Sequence, residues 1–316
     1  MKIRYFCFFI VLAGLVSIFG CTQPVLEDAK DELTLPGRFS EFRLEVGCED
    51  DPVLSDIKRD MEGKTSILDL MKFYLKELEI DASPDSPYLK KLEKLFACGQ
   101  TKSRVEGHFY GITLVLKKGK HPHGDLLNQL WAATVGGASP WDGKIFDSVE
   151  SGQLSFYTEG FEKGNVPTFL GINCFKEYKE SFLNVAGISA LTFWMNLKDA
   201  PEEEKQKYGY DKKGGLFIAG KAESVGLGNP GKEVFQLNYR WRKLENLPPN
   251  KYLIDEIVLI ADGLYLGQLF YATQHLLEAY DPELSPTEYR YENFGYFLLM
   301  DDEWGKERER VFFSCR

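Results

Sequence analysis

Apolar positions change their spacing along this chain, and each change marks a different kind of element. Residues 5–19 are an unbroken apolar run. Further on, Ile67, Leu68, Met71, Tyr74, Leu75 and Leu78 recur at three- and four-residue steps, which is one face of a helix. Thr65 or Ser66 can cap its start. Ser86-Pro87 opens a second helix whose apolar face is Tyr88, Leu89, Leu92, Leu95 and Phe96, with Gly99 as its stop. Phe39, Phe42, Leu44 and Val46 are weakly strand-like before this pair.

From about residue 104 the period becomes two. A long strand is expected over 105–117, then an amphipathic helix from Asp125 to about Val135. Strands are expected at 143–149, 153–159, 167–176, 183–197, 215–225, 233–243, 252–262, 264–273 and 289–300. Asp262-Gly263 between two apolar runs predicts a tight type I′ hairpin turn, which needs positive φ at both central residues. Many antiparallel strands with few helices do not fit the alternating α/β pattern. The expected fold class is mainly β, an antiparallel barrel or sandwich with a small N-terminal helical subdomain. The expected organisation is a leader over 1–20, a polar tether over 21–37, the helical subdomain over 38–103 and the β domain over 104–316.

Lys2 and Arg4 precede the apolar run, and Ser17 and Gly20 flank its end, which is a secretory layout. The run is short for a membrane span, which takes roughly 20 apolar residues. Ile18-Phe19-Gly20-Cys21 resembles the lipobox of bacterial lipoproteins, with Phe19 bulkier than the usual residue. That resemblance implies acyl chains such as palmitate on Cys21, cleavage before it, and membrane anchoring through those chains. Thr22, where inner-membrane lipoproteins often carry Asp, implies an outer-membrane lipoprotein facing the periplasm. An uncleaved helix or a plain signal peptide is the alternative.

The chain carries a net charge of −10, and losing residues 1–20 removes Lys2 and Arg4 and no acid, which leaves −12. That balance argues against nucleic-acid binding, which needs a basic footprint. Aromatic residues make up 14% of the chain, with 23 Phe and 16 Tyr, which suits strands and apolar pocket walls. Once Cys7 is cut away and Cys21 carries lipid, Cys48, Cys98, Cys174 and Cys315 remain. Four cysteines allow three pairings. Cys48 and Cys98 bracket the helical segment and are the expected pair, against four buried free thiols.

Gly107-His108-Phe109-Tyr110-Gly111 looks like the Gly-x-Trp-x-Gly opening strand of calycin barrels, with Phe109 at the Trp position. Trp141-Asp142-Gly143-Lys144-Ile145-Phe146 is similar to an element of small bacterial lipocalin-like domains, and the stretch from Ile254 to Gly267 resembles their closing strands. The resemblance is loose over about residues 105–300. It implies a barrel whose mouth accepts an apolar small molecule, and it assigns no ligand residue.

Candidate chemistry is sparse. His108, His121 and His123, with Asp125, could hold a metal, since His is a frequent ligand; exposed turn histidines beside a hydrogen-bonded strand histidine are the plainer reading. Gly226, Gly228, Gly231 and Lys232 mimic a phosphate loop, but a strand follows where a helix N-terminus is required. Asp255 and Glu256 point to opposite faces of a strand. One of them could face a barrel interior, where burial raises its pKa; a solvent-facing Glu256 and a backbone-bonded Asp255 are the plainer expectation. Tyr239 and Trp241 share a face of their predicted strand, and Arg240 and Arg242 could clamp an anionic head group. No nucleophile elbow or triad pattern is present, and nothing calls for a cofactor. The expected ligand pocket comprises Phe109, Trp141, Tyr239, Trp241 and Asp255. The expected function is non-enzymatic binding of a lipid-like small molecule. A lipoprotein docking an envelope complex through residues 52–98, its protein partner unknown, is the alternative, and an enzyme with a pocket carboxylate comes third.

Overall fold

The computed structural model describes residues 37–313, apart from 49, 118–139, 162–167, 178–187, 190 and 194. Three helices come first: α1 (Pro52–Asp60), α2 (Ile67–Ile80) and α3 (Pro87–Cys98). The Asp51 carboxylate caps α1 by accepting from the Val53 amide, and Ser66 caps α2 by accepting from Asp69. Their apolar faces do not form a core of their own. Leu68, Met71, Leu92 and Phe96 share one cluster with Val258, Ile260, Leu266 and Leu298 on the outer wall of the β domain. A disulfide joins Cys48 to Cys98 and ties the chain ahead of α1 to the end of α3. Just beyond it, Gln100 exchanges two backbone hydrogen bonds with Leu259 of the wall. Phe39, Phe42 and Leu44, expected to be strand-like, make only an isolated bridge at Leu44.

The β domain is a closed, eight-stranded antiparallel barrel of the calycin-like kind. Its strands are β1 (Gly107–Leu116), β2 (Trp141–Ser148), β3 (Thr168–Phe175), β5 (Lys212–Glu223), β6 (Glu233–Asn238), β7 (Leu253–Ala261), β8 (Leu264–Ala272) and β9 (Tyr291–Met300). Each pairs with the next, and β9 returns to pair with β1. The two-residue β4 (Lys198–Asp199) only flanks β5. Closure removes the sheet edges that would otherwise invite aggregation. Asp262-Gly263 makes the tight β7–β8 turn, but only Gly263, at φ 76°, is in the positive-φ region, so the turn is not the expected type I′.

Two expected strands are helical instead. Residues 153–159 fall in α4 (Ser151–Tyr157) and the turn after it. Both edges of β2 and of β3 are already taken in the closed barrel, so a strand there would have no partner. Within 183–197, residues 188, 189, 191–193 and 195 are helical. Ile188 and Leu191 are three apart and both join the barrel's interior cluster, which a helical turn permits and a strand does not. The helix expected from Asp125 lies outside the described residues. Among the described residues, short α-helices also occur as α5 (Glu202–Tyr208), α6 (Pro286–Tyr289) and α7 (Asp302–Arg308).

An eight-stranded barrel is just wide enough for side chains to fill or for one small ligand. Here rings fill much of it, with Phe146, Phe169, Phe217, Phe235 and Phe297 all 1% exposed or less. They fit because glycines lie opposite. Phe217 faces Gly171 across the β3–β5 pair, and Phe297 faces Gly267 across β8–β9. A Cβ at Gly171 would sit 2.0 Å from the Phe217 ring, and one at Gly267 2.2 Å from the Phe297 ring.

The two ends of the barrel differ. Toward the β7–β8 turn the interior-facing Phe109, Phe169, Leu259 and Leu299 are buried. At the other end Leu253, Leu269 and Met195 pack on the same interior cluster yet are only partly buried. Solvent therefore reaches the interior apolar surface at that end.

Candidate functional site

Just below those three residues the interior turns polar. Lys144 on β2 points inward and is 2% exposed. A lysine at this depth is stable as a cation only if each N–H finds an acceptor. Its Nζ donates to Asn173 Oδ1 at 2.6 Å, to Tyr239 Oη at 2.5 Å and to Asp255 Oδ2 at 3.0 Å. Those acceptors come from β3, the exit of β6, and β7. The same ammonium lies over the rings of Trp141 at 5.3 Å, Phe217 at 5.1 Å, Tyr239 at 5.3 Å and Phe297 at 5.5 Å, which adds cation–π attraction.

The rest of the cluster is equally directed. Tyr239 donates its O–H to Asp255 Oδ2 at 2.8 Å. The Trp141 indole N–H donates to Asn173 Oδ1 at 3.1 Å. The Asn173 amide donates to the Gly215 carbonyl at 3.0 Å. Burial lowers the Lys144 pKa and raises that of Asp255, and the attraction between the two charges opposes both shifts. Burial also holds the Tyr239 phenol well above its ordinary value, so it stays a neutral donor. Three acceptors and four ring faces around the ammonium favour the ionised form against that burial cost. Such a pair is a weak source of stability, because desolvation consumes most of its Coulomb gain. Its presence in the middle of an aromatic interior makes this cluster the candidate site.

Phe109, Trp141, Tyr239 and Asp255 therefore meet in one interior. Trp241 does not share it. Strand β6 stops at Asn238, whose Oδ1 accepts from the Arg240 amide. Trp241 packs edge-on to Tyr280 at 5.1 Å instead. Arg240 clamps no head group in the barrel: its guanidinium stacks over Tyr289 at 3.9 Å and Tyr280 at 4.9 Å. Arg242 is exposed in a short turn.

His108 faces outward from β1 and is covered by the ring of Tyr208 from α5, stacked at 4.2 Å. Neither ring nitrogen has a hydrogen-bond partner, and burial with the nearby Arg308 cation holds its pKa down to about 3. It is a neutral, packed ring. His121 and His123 lie outside the described residues, as do Cys21 and Cys315. Among the described residues no three His, Cys, Asp or Glu side chains are grouped as a metal site. Cys174 is a buried free thiol. The segment with Gly226, Gly228, Gly231 and Lys232 is the connection between β5 and β6, with no helix after it.

No protein-family model matches the chain, and neither a curated protein nor a solved structure matches it.

Asp255 and Glu256 do take opposite faces, but Glu256 is not solvent-facing. It is fully buried on the outer wall, where its carboxylate accepts from Ser224 Oγ at 2.6 Å and the Val225 amide at 2.6 Å. The connection after β5 folds over it. Burial raises its pKa from 4.5 to about 7. The native state thus keeps a proton through this interval that the unfolded chain has released. Its stabilising contribution is complete below pH 4.5 and is lost as the pH rises to about 7, amounting to up to about 3 kcal/mol. Glu256→Gln keeps the shape and removes the titration. Urea unfolding across this interval is expected to show the variant gaining stability relative to the parent as pH rises; parallel curves would refute the assignment.

Sequence reading missed Lys144 and Asn173. Lys144 stood in view inside the Trp141–Phe146 motif, where a strand lysine reads as solvent-facing. The available signal was its alternation: it shares a face with Phe146, two positions on.

Proposed function

We propose that this chain is an exported, lipid-anchored binding protein, an outer-membrane lipoprotein facing the periplasm. Acyl chains on Cys21 hold it to the membrane, and its barrel holds an apolar or amphiphilic small molecule. The observation that carries the reading is the buried Lys144–Asp255 pair, set among aromatic rings in a barrel whose interior surface is partly exposed at Leu253, Leu269 and Met195. An apolar wall with a few convergent polar groups is the usual construction of a small-molecule site. The barrel alone is no argument, since barrels host many functions.

Docking through residues 52–98 has less support. The hairpin's Leu68, Met71, Leu92 and Phe96 are spent on the barrel wall, and Ile80 is its exposed large apolar residue. One arrangement that would favour an enzyme, His108 against a carboxylate, does not occur, because neither ring nitrogen of His108 has a hydrogen-bond partner.

Two measurements test the proposal. Native mass spectrometry of a soluble form beginning at Thr22, made in an exporting bacterium, is expected to show an added mass that organic extraction removes. A clean protein mass, unshifted by a panel of fatty acids, alcohols and isoprenoids, would end the carrier reading. Separately, Cys21→Ser is expected to abolish incorporation of labelled palmitate and release the protein from the membrane fraction, because stable anchoring needs more than one acyl chain.

A further inference from the structure

The polar cluster is saturated on one side and incomplete on the other. All three Lys144 N–H groups have acceptors. Asp255 Oδ2 receives two hydrogen bonds, whereas Asp255 Oδ1 is buried and has no partner. A second unmatched group lies next to Gly215, the residue whose carbonyl accepts from the Asn173 amide. Asn250, 5% exposed, carries a buried Nδ2 without an acceptor. A native fold rarely leaves buried polar atoms unpaired, and each instance calls for a cause.

Both unmatched groups belong to the open end. Asp255 stands directly across from the partly exposed Leu269 in the β7–β8 register. Asn250 sits in the connection that leads into β7, beside Gly215 at the start of β5. Gly215 has φ 67°, and a Cβ there would lie 2.8 Å from Asn250 Nδ2, 3.2 Å from Asn173 Nδ2 and 2.5 Å from Met195 Cε. The missing side chain lets the Asn250 amide approach the one that already serves the Lys144 cluster.

The two unmatched groups are of opposite type: one acceptor and one donor pair. A carboxylate ligand suits them poorly. It would meet the bare oxygen of Asp255, and the lysine that should attract it has no N–H to spare. A cationic amine would meet the Lys144 ammonium 3.0 Å from the same carboxylate. A hydroxyl fits, because it donates one hydrogen bond and accepts others. Given to an ionised carboxylate, that bond is also charge-assisted. We propose that Asp255 Oδ1 and Asn250 Nδ2 recognise the hydroxyl of a neutral apolar alcohol, so that the ligand of the barrel is a long-chain or isoprenoid alcohol and not a fatty acid. This rests on the binding reading above and adds the head group to it. The alcohol chain would lie toward the mouth, against Leu253, Leu269 and Met195.

The test uses the full, lipid-anchored protein in nanodiscs. Radiolabelled probes of matched chain are compared, hexadecanol with palmitate and farnesol with farnesoic acid, with empty nanodiscs subtracted. At least one alcohol is expected to bind ten or more times tighter than its acid. Asp255→Asn, close in shape, is expected to reduce that preference to about threefold or less, and Asn250→Ala to weaken alcohol binding several-fold while leaving the melting temperature near that of the parent. Equal affinities in each pair, or a preference for acids, would overturn the head-group inference and leave the binding barrel standing. Absence of binding by every probe would overturn both. An undiminished alcohol preference in a folded Asn250→Ala protein would remove Asn250 from the site, and the same result in Asp255→Asn would sink the inference.

Discussion

Replacing Lys144 with methionine is expected to destabilise the barrel by about 3–5 kcal/mol, because it strands the Asp255 carboxylate in an aromatic interior. Asp255 is 2% exposed and would retain only the Tyr239 hydroxyl as a donor. A loss of that size is a large part of the roughly 5–15 kcal/mol that holds a typical domain together. The double variant Lys144→Met with Asp255→Leu separates two causes. If the pair is an ionised unit kept for recognition, removing both charges restores most of the lost stability, to within about 1 kcal/mol of the parent, since apolar replacement of a buried pair is often neutral. Urea unfolding of the four proteins in this cycle gives the coupling directly. A single variant that costs less than about 1 kcal/mol would mean that Asp255 simply takes up a proton and the cluster carries no charge. Restored stability with lost ligand binding in the double variant is the combination that the binding reading requires.

Removing the Cys48–Cys98 bond is expected to have an effect of similar size. The bond closes a stretch with a separation of 50 residues. Chain-entropy arguments put the stabilisation from such a loop at about 4 kcal/mol. The stretch contains α1, α2 and α3, whose apolar faces are buried on β7, β8 and β9 and not on one another alone. Cys48→Ser with Cys98→Ser should therefore lower the unfolding midpoint of the whole unit. It should also speed hydrogen exchange in the helices before the barrel strands, because the helices gain most from being held in place. A midpoint unchanged by the double substitution, or by a reductant, would show that burial of the helices on the wall is sufficient. Buried Cys174, packed with Ala200 and Tyr210, is expected to stay unreactive in the folded protein, since burial also raises its thiol pKa.

Several elements could be read from local pattern. The two main helices are legible because Ile67, Leu68, Met71, Tyr74 and Leu78, and then Leu89, Leu92, Leu95 and Phe96, keep helical spacing between recognisable caps. Most barrel strands are legible from alternation, and their ends fall near Gly, Pro and Asp turns. Two of the misreadings share a cause. Residues 153–159 alternate well enough for a strand, and 183–197 are apolar enough, yet a closed barrel leaves no free edge beside β2 and β3. Strand β6 likewise ends at Asn238 because its own side chain bonds the Arg240 backbone, which a period-two pattern does not register.

The sequence by itself determined the apolar run ahead of Cys21, the two main helices, the period-two body and the turn at Asp262-Gly263. It also placed Asp255 and Glu256 on opposite faces. Only the tertiary structure decided which face is the inside. Lys144 and Asp255 are 111 residues apart and belong to strands that do not pair, so their contact exists only when β9 returns to β1 and the wall closes around them. Alternation identifies two faces and cannot say which one closure will bury. A lysine on a strand is ordinarily read as solvent-facing because its charge is costly to bury. Here three acceptors from three other parts of the barrel reverse that expectation, and no local window of the sequence contains them.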